Sequence, residues 1–217
     1  MMIGPSRQSD RKAKVLFGLW AVLLMSPYAW ASGFNLNDQC PPSFALDSNN
    51  QCQLRNLYQF YNSLQDQGLG GLKTALPNHR DGFSPQQIDL GRLLFFDPVL
   101  SGNKDLSCAN CHNPALGFSD GMARSVGASG QVHSRSAPTL WNSAFLKSLL
   151  WDARANSLEQ QALGPLFSEI EMGNNPEQLL ANLNQVEAYP GLFAQAFPSS
   201  EDALVIANIT TALAAFQ

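Results

Sequence analysis

The five residues Cys108-Ala109-Asn110-Cys111-His112 constrain this chain more than any other stretch. Two thiols one helical turn apart, followed at once by an imidazole, form the C-x-x-C-H pattern that attaches a c-type haem. The spacing follows from the chemistry. The thiols form thioethers with the two vinyl groups of one macrocycle, and the next residue presents its imidazole to the iron. A thioredoxin-like redox pair would belong in a βαβ setting, and none is readable around these residues. A structural zinc site needs four ligands, and no second Cys/His cluster completes one. The pattern therefore predicts one covalent haem c, with Cys108 and Cys111 as attachment points and His112 as an axial iron ligand.

The other two cysteines, Cys40 and Cys52, lie twelve positions apart in a loop rich in Pro, Ser and Asn. In an oxidising compartment they are placed to form a disulfide pinning that segment. On the chain-entropy model a loop of this size contributes about 2–3 kcal/mol. Four cysteines allow three pairings, so sequence alone leaves the connectivity open.

The N-terminus supplies the compartment. Residues 1–14 are polar and basic, and residues 15–25 (VLFGLWAVLLM) are uninterruptedly apolar. Ala29 and Ala31 then offer an A-x-A cleavage site before Ser32. This order reads as a secretory signal peptide over residues 1–31. A membrane span needs about 20 apolar residues, roughly twice this run. The expectation is an exported, periplasmic protein with no membrane span after cleavage.

Charge excludes one class of partner. Charged residues make up 14% of the chain and the formal charge is −4. Four of the thirteen basic residues sit in the first 14 positions, so cleavage leaves 9 basic against 16 acidic, a net −7. Such a domain is repelled by phosphate backbones, which argues against nucleic acid.

Periodicity reads as helix throughout. Residues 54–66 (LRNLYQFYNSLQD) carry apolar positions at a 3–4 spacing. Ser84-Pro85-Gln86-Gln87 opens a helix with a capping-box pattern and Pro in its first turn, running to Phe95-Phe96. Ser157-Leu158-Glu159-Gln160 opens another, expected to end at Gly164-Pro165, and Asn175-Pro176 a third. Ser200 is a candidate cap for a last helix bearing Leu204, Ile209, Leu213 and Phe216. Segments between, above all 98–140, carry Gly, Ser, Asn and Pro without a period, and no alternating β pattern stands out. The fold class is all-α with long loops. Residues 32–83 read as an N-terminal extension with the disulfide and one helix, and residues 84–217 as the haem domain.

Three segments carry a wider resemblance: LGRLLFFDPVLSGNKDLSCANCHNPALGFSDG from Leu90, SVGASGQVHSRSAPTLWNSAF from Ser125, and LLWDARANSLEQQALGPLFSEIEMGNNPEQL from Leu149. Together they resemble the N-terminal half of the bacterial dihaem cytochrome c peroxidases, a family that includes the methylamine-utilisation G type. The resemblance implies a cytochrome c-like domain around a peroxidatic haem. Cys108 and Cys111 match its thioether positions and His112 its proximal ligand. Glu171, in the IEM segment, matches the distal acid–base carboxylate, and Gln161, in QQALGP, a distal-pocket glutamine. Trp151 matches a tryptophan between the two haems on the proposed electron path. The implied reaction is reduction of hydrogen peroxide to water with electrons from a c-type cytochrome or similar small donor. Dimers are common in the family, so a homodimer is left open.

Read without that resemblance, the same residues are ordinary. Glu171 is then a solvated acid, Gln161 a helix residue, Trp151 a core aromatic, and Asp152 with Arg154 a surface pair. Met172 would be core, or the sixth ligand of a monohaem electron carrier with His112/Met172 ligation. Met122 is too near His112 in sequence to cross a haem, and His79 sits in a polar loop.

Departures from the family pattern are specific. Many members carry a His, after the haem motif, that ligates the resting haem; here the position is Ala128, with His133 five residues on. Ala128 predicts an iron open without reductive activation, and it leans towards the G type, which uses peroxide to oxidise residues of another protein. Ser136 stands where members often have Asn near an interdomain calcium, so the calcium the family implies lacks its usual residue. Ala153 replaces the Gly of W-D-G-R. A second C-x-x-C-H does not occur in the 217 residues, and the pattern ITTALAAFQ is still in full apolar period at Gln217. Both predict a truncated chain.

Overall fold

The computed structural model describes residues 33–55 and 79–217. The expected signal peptide, and the expected helix over 54–66 beyond Arg55, lie outside the described residues. Leu54 itself closes a short strand.

That strand belongs to a feature the sequence hides. β1 (Phe44–Leu46) and β2 (Cys52–Leu54) pair antiparallel, Phe44 against Leu54 and Leu46 against Cys52. Three residues are too few to show a period of two. The connection is held by Asp47, whose carboxylate accepts from the backbone N–H groups of Asn49 at 2.8 Å and Gln51 at 2.9 Å. Cys40 and Cys52 form the expected disulfide, with their Cα atoms 5.6 Å apart. Cys52 is buried, and its N–H donates to the Phe83 carbonyl at 2.8 Å. The Asp81 carboxylate takes the Leu54 N–H at 2.7 Å. The hairpin is thus fastened to the residues that lead into the first helix.

α1 (Pro85–Phe96) begins as expected. Ser84 accepts from Gln87 N–H, the Gln87 side chain accepts from Ser84 N–H, and Pro85 occupies the first turn. α2 (Cys108–Cys111) is a single turn. α3 (Leu158–Phe167), α4 (Pro176–Asn184), α5 (Ala188–Ala196) and α6 (Ile206–Phe216) complete the described helices. Between α1 and α3 the chain runs mostly as loop and short 3-10 turns, as the aperiodic composition implied.

Three expectations need correcting. α3 does not stop at Gly164-Pro165 but runs on to Phe167 with Pro165 inside it. Pro165 lies in the last turn, where its missing N–H costs one helical hydrogen bond. Its capping box is also half-formed: Ser157 accepts from Gln160 N–H, but the Gln160 side chain takes the Asn156 N–H instead. Ser200 does not cap α6, which starts six residues later after Val205. Asn208 explains the delay, since its amide donates to the Ala203 carbonyl at 2.8 Å and holds the preceding bend. α5 was not legible because Pro190 and Gly191 interrupt it; a proline in the first turn removes an N–H that has no helical partner.

The core sits between α1, α5 and α6, with α3 and α4 closing its sides. Leu90, Leu94, Phe95, Leu166, Leu179, Leu183, Phe193, Ile209 and Leu213 are fully buried there. α1 and α6 touch at backbone distance: a β-carbon on Gly91 would lie 1.8 Å from the Ala212 carbonyl oxygen. This approach brings Phe95 and Phe216 into contact, with ring centres 5.1 Å apart. Phe95 then forms the floor on which the C-x-x-C-H turn rests. Among the described residues, no helix is long and apolar enough to cross a membrane.

Candidate functional site: a cavity around the Cys108–His112 turn

Ser107 and Asn110 shape the turn that carries the two thiols. Asn110 Oδ1 accepts from the Ser107 N–H at 2.8 Å and from its hydroxyl at 2.9 Å, and the His112 N–H donates to the Cys108 carbonyl at 2.9 Å. One turn of helix thereby fixes Cys108, Cys111 and His112 as a unit.

The loop after it sets the imidazole. Pro114–Leu116 form a 3-10 turn, Gly117 and Phe118 adopt positive φ, and the Phe118 N–H returns to the Asn113 carbonyl at 2.8 Å. The Phe118 carbonyl then lies 3.0 Å from His112 Nδ1. A carbonyl only accepts, so Nδ1 carries the proton and Nε2 keeps its lone pair. This is the arrangement that orients a metal-binding imidazole and raises its basicity. Phe95 lies against the same ring, with centres 6.5 Å apart, and Trp141 stands edge-on to Phe118 at 5.4 Å.

Burial pushes the Cys108 thiol up to about 12, opposed by a hydrogen bond from its own backbone. The Cys111 thiol is also raised, by desolvation first and then by the negative charges of Asp120 and Glu171. A redox-active C-x-x-C pair needs a lowered thiol pKa, so this environment speaks against the thioredoxin-like reading.

Cys108, Cys111 and His112 line a cavity of about 880 Å3. Its walls include Phe95, Leu106, Leu140, Leu149, Leu166, Met172 and Leu213, with Ser107, Ser125, Arg135, Ser136 and Arg154 among its polar members. The volume falls within the range of about 300–1,000 Å3 usual for cofactor sites. Apolar walls, two adjacent thiols and one imidazole with a free Nε2 fit a covalently attached haem.

Glu171, Gln161 and Trp151 line the same cavity, so the fold gathers all the residues singled out on the family pattern. Gln161 projects from α3, one turn before Pro165. Trp151 is 88% exposed at the rim and is not a core aromatic. Asp152 and Arg154 form the expected surface pair, at 2.7 Å. Met172 is buried within the core cluster, its backbone tied to Pro165 and Gly102. Met122 is half exposed. His79 is not simply solvated: it lies 3.4 Å from Asp81 and edge-on to Phe145.

Glu171 is held by a hairpin that sequence reasoning did not connect to it. Residues 125–135 fold back on themselves, with Ser125 paired to Arg135 and His133, and Gly127 to Gln131. At its tip the Ala128 N–H donates to the Glu171 carbonyl at 2.7 Å. From its returning arm, His133 places Nε2 3.4 Å from Glu171 Oε1. Thirty-eight positions, α3 among them, separate the two residues, and no local pattern signals that they meet.

With this geometry in place, comparison with known proteins decides the family. A model of the family described as di-haem cytochrome c peroxidase matches residues 85–217. The chain belongs to that family. A methylamine utilization protein MauG from Methylorubrum extorquens is 42% identical over 134 residues, covering 62% of this chain and 38% of the relative. A cytochrome c551 peroxidase from Pseudomonas aeruginosa is 37% identical over 134 residues, covering 62% and 39%. Among solved structures, a MauG-like protein associated with microbial copper homeostasis superposes with a TM-score of 0.62 at 35% identity, covering 67% of this chain and 44% of that one. The chain thus spans about two-fifths of the length of the relatives it matches. The cytochrome c-like all-α fold class agrees with these neighbours. The family carries two haems, whereas these 217 residues contain a single C-x-x-C-H.

Proposed function

We propose that this chain is the peroxidatic-haem part of an exported di-haem peroxidase that reduces hydrogen peroxide to water with electrons from a small donor such as a c-type cytochrome. The observation that carries this reading is the meeting of Glu171 and Gln161 with Cys108, Cys111 and His112 in one cavity. Residues 1–31 act as the signal peptide, residues 32–83 as a disulfide-pinned extension, and residues 84–217 as the haem domain.

A haem held by Cys108, Cys111 and His112 would supply the redox chemistry for breaking the O–O bond. The chain's own groups do the rest. Cys108 and Cys111 fix the macrocycle covalently, and His112, with Nδ1 donated to Phe118, offers Nε2 to the metal. Glu171 would take the proton from the inner peroxide oxygen and return it to the outer one, so that the outer oxygen leaves as water; two electrons from the donor and two protons then convert the inner oxygen to the second water. The Gln161 amide orients the peroxide for that transfer. The apolar wall from Leu140 to Leu166 excludes bulk water, and exposed Trp151 provides an aromatic station for electrons entering at the rim.

The test uses the matured protein with its haem attached. Red colour retained after denaturing electrophoresis, together with peroxide reduction that is lost in Glu171→Ala, supports the reading. Unaltered peroxide reactivity in that variant refutes the role of the carboxylate.

Ala128 favours a second reading, in which peroxide drives oxidation of residues in a partner protein. It lacks the side chain that would ligate the resting iron, and its N–H is committed to Glu171. Assays of donor cytochrome against candidate protein substrates separate the two.

A further inference from the structure

We propose that His133 is the positioning residue for Glu171, donating its Nε2–H to the carboxylate and holding it in the orientation that proton transfer requires. The inference rests on the reading of Glu171 as the proton-carrying group.

One hydrogen bond and one close contact define the imidazole. The Arg135 backbone N–H donates to His133 Nδ1 at 3.2 Å, so Nδ1 is the acceptor and carries the lone pair. The proton of the neutral ring therefore sits on Nε2, the nitrogen that lies 3.4 Å from Glu171 Oε1. The tautomer is set from the far side of the ring by a backbone group that no side-chain substitution removes. Nδ1 faces Arg135 and Nε2 faces Glu171 in this arrangement, on the wall of the cavity that holds Cys108, Cys111 and His112.

The same hairpin holds Glu171 a second time through its backbone. Ala128 N–H takes the Glu171 carbonyl at 2.7 Å, and Gly127 lies flat against Ile170–Glu171. The backbone of Glu171 is fixed at the hairpin tip and its carboxylate by the returning arm. A carboxylate that is 37% exposed would otherwise sample several rotamers. An N–H donor beside it restrains χ without removing the oxygen that receives the proton.

The experiment uses the full haem-loaded protein, with hydrogen cyanide as a probe beside peroxide. Hydrogen cyanide must surrender its proton to bind ferric iron as cyanide, so its association rate reports the neighbouring base without turnover. His133→Ala is expected to slow both cyanide association and the reaction with peroxide by about tenfold. His133→Gln, whose amide N–H can donate to Glu171, is expected to recover most of both rates, which a merely structural role would not predict. Wild-type rates in His133→Ala, alongside slow rates in Glu171→Gln, overturn the inference and leave the proposed function standing. So does a Gln variant as slow as the Ala variant. A low-spin ferric spectrum that turns high-spin in His133→Ala makes His133 an iron ligand and overturns it too. If Glu171→Gln itself leaves both rates unchanged, the carboxylate assignment falls, and the inference with it.

Discussion

Gly127 lies so close to Ile170 that a β-carbon on the glycine would stand 2.0 Å from the Ile170 carbonyl oxygen and 2.9 Å from the Glu171 Cα. Its φ of −101° is open to any residue, so it is contact and not backbone conformation that requires glycine here. Gly127→Ala must push the hairpin away from the segment carrying Glu171. The expected outcome is a loss of about 1–3 kcal/mol in chemical denaturation, with a parallel fall in peroxide reactivity. A variant of unchanged stability and reactivity would mean that the two backbones separate without consequence.

Haem attachment should dissect by cysteine. Cys108→Ala and Cys111→Ala each leave one thioether, so haem survives denaturing electrophoresis in either variant, with a shifted absorption band in alkaline pyridine. The double variant should release it entirely. Haem that stays attached without either thiol would place the covalent link elsewhere.

How much of this was legible beforehand depended on the range of the signal. The start of α1 was visible because Ser84, Pro85 and Gln87 act within one turn, and the cap hydrogen bonds are those the residue types require. The C-x-x-C-H turn was visible for the same reason. α5 was hidden because Pro190 is tolerated only by its place in the first turn, which no window of composition conveys. β1 and β2 were too short to alternate. Within the candidate site, Glu171 and Gln161 were reachable through family resemblance alone, since nothing in their neighbourhoods distinguishes them from surface residues. The pairing of Glu171 with His133 was beyond reach, because it depends on where an aperiodic hairpin lands.

Packing of α1 on α6 can be probed at Gly91. A β-carbon there meets the Ala212 carbonyl oxygen at 1.8 Å, backbone against backbone, so no side chain can give way. Gly91→Ala should therefore destabilise by at least about 1–3 kcal/mol, despite alanine's better helix propensity. A rise in melting temperature would show that the two helices slide apart freely.

Tyr189 gives the fold an alkaline limit. Its hydroxyl donates to Asp97 Oδ2 at 2.6 Å. Desolvation first, then that hydrogen bond and the Asp97 charge, raise its pKa well above the usual value. The folded state thus favours neutral tyrosine, and its contribution is complete below about pH 10, where the unfolded side chain ionises. Stability should decline as pH climbs beyond that point. Tyr189→Phe should cost about 1.5–3 kcal/mol at neutral pH and flatten the alkaline decline, as urea melts at pH 8 and about pH 10.5 would reveal.

The disulfide between Cys40 and Cys52 has a consequence for the order of maturation. Both partners lie N-terminal to Cys108 and are separated by only 12 positions, within a hairpin whose turn is made by its own Asp47. If the chain is threaded N-terminus first, as the proposed export requires, this pair would meet while the later thiols are still behind it. Chronology would then sort the four sulfurs into two fates: the first two close on each other, and Cys108 and Cys111 arrive with no earlier sulfur left to trap them.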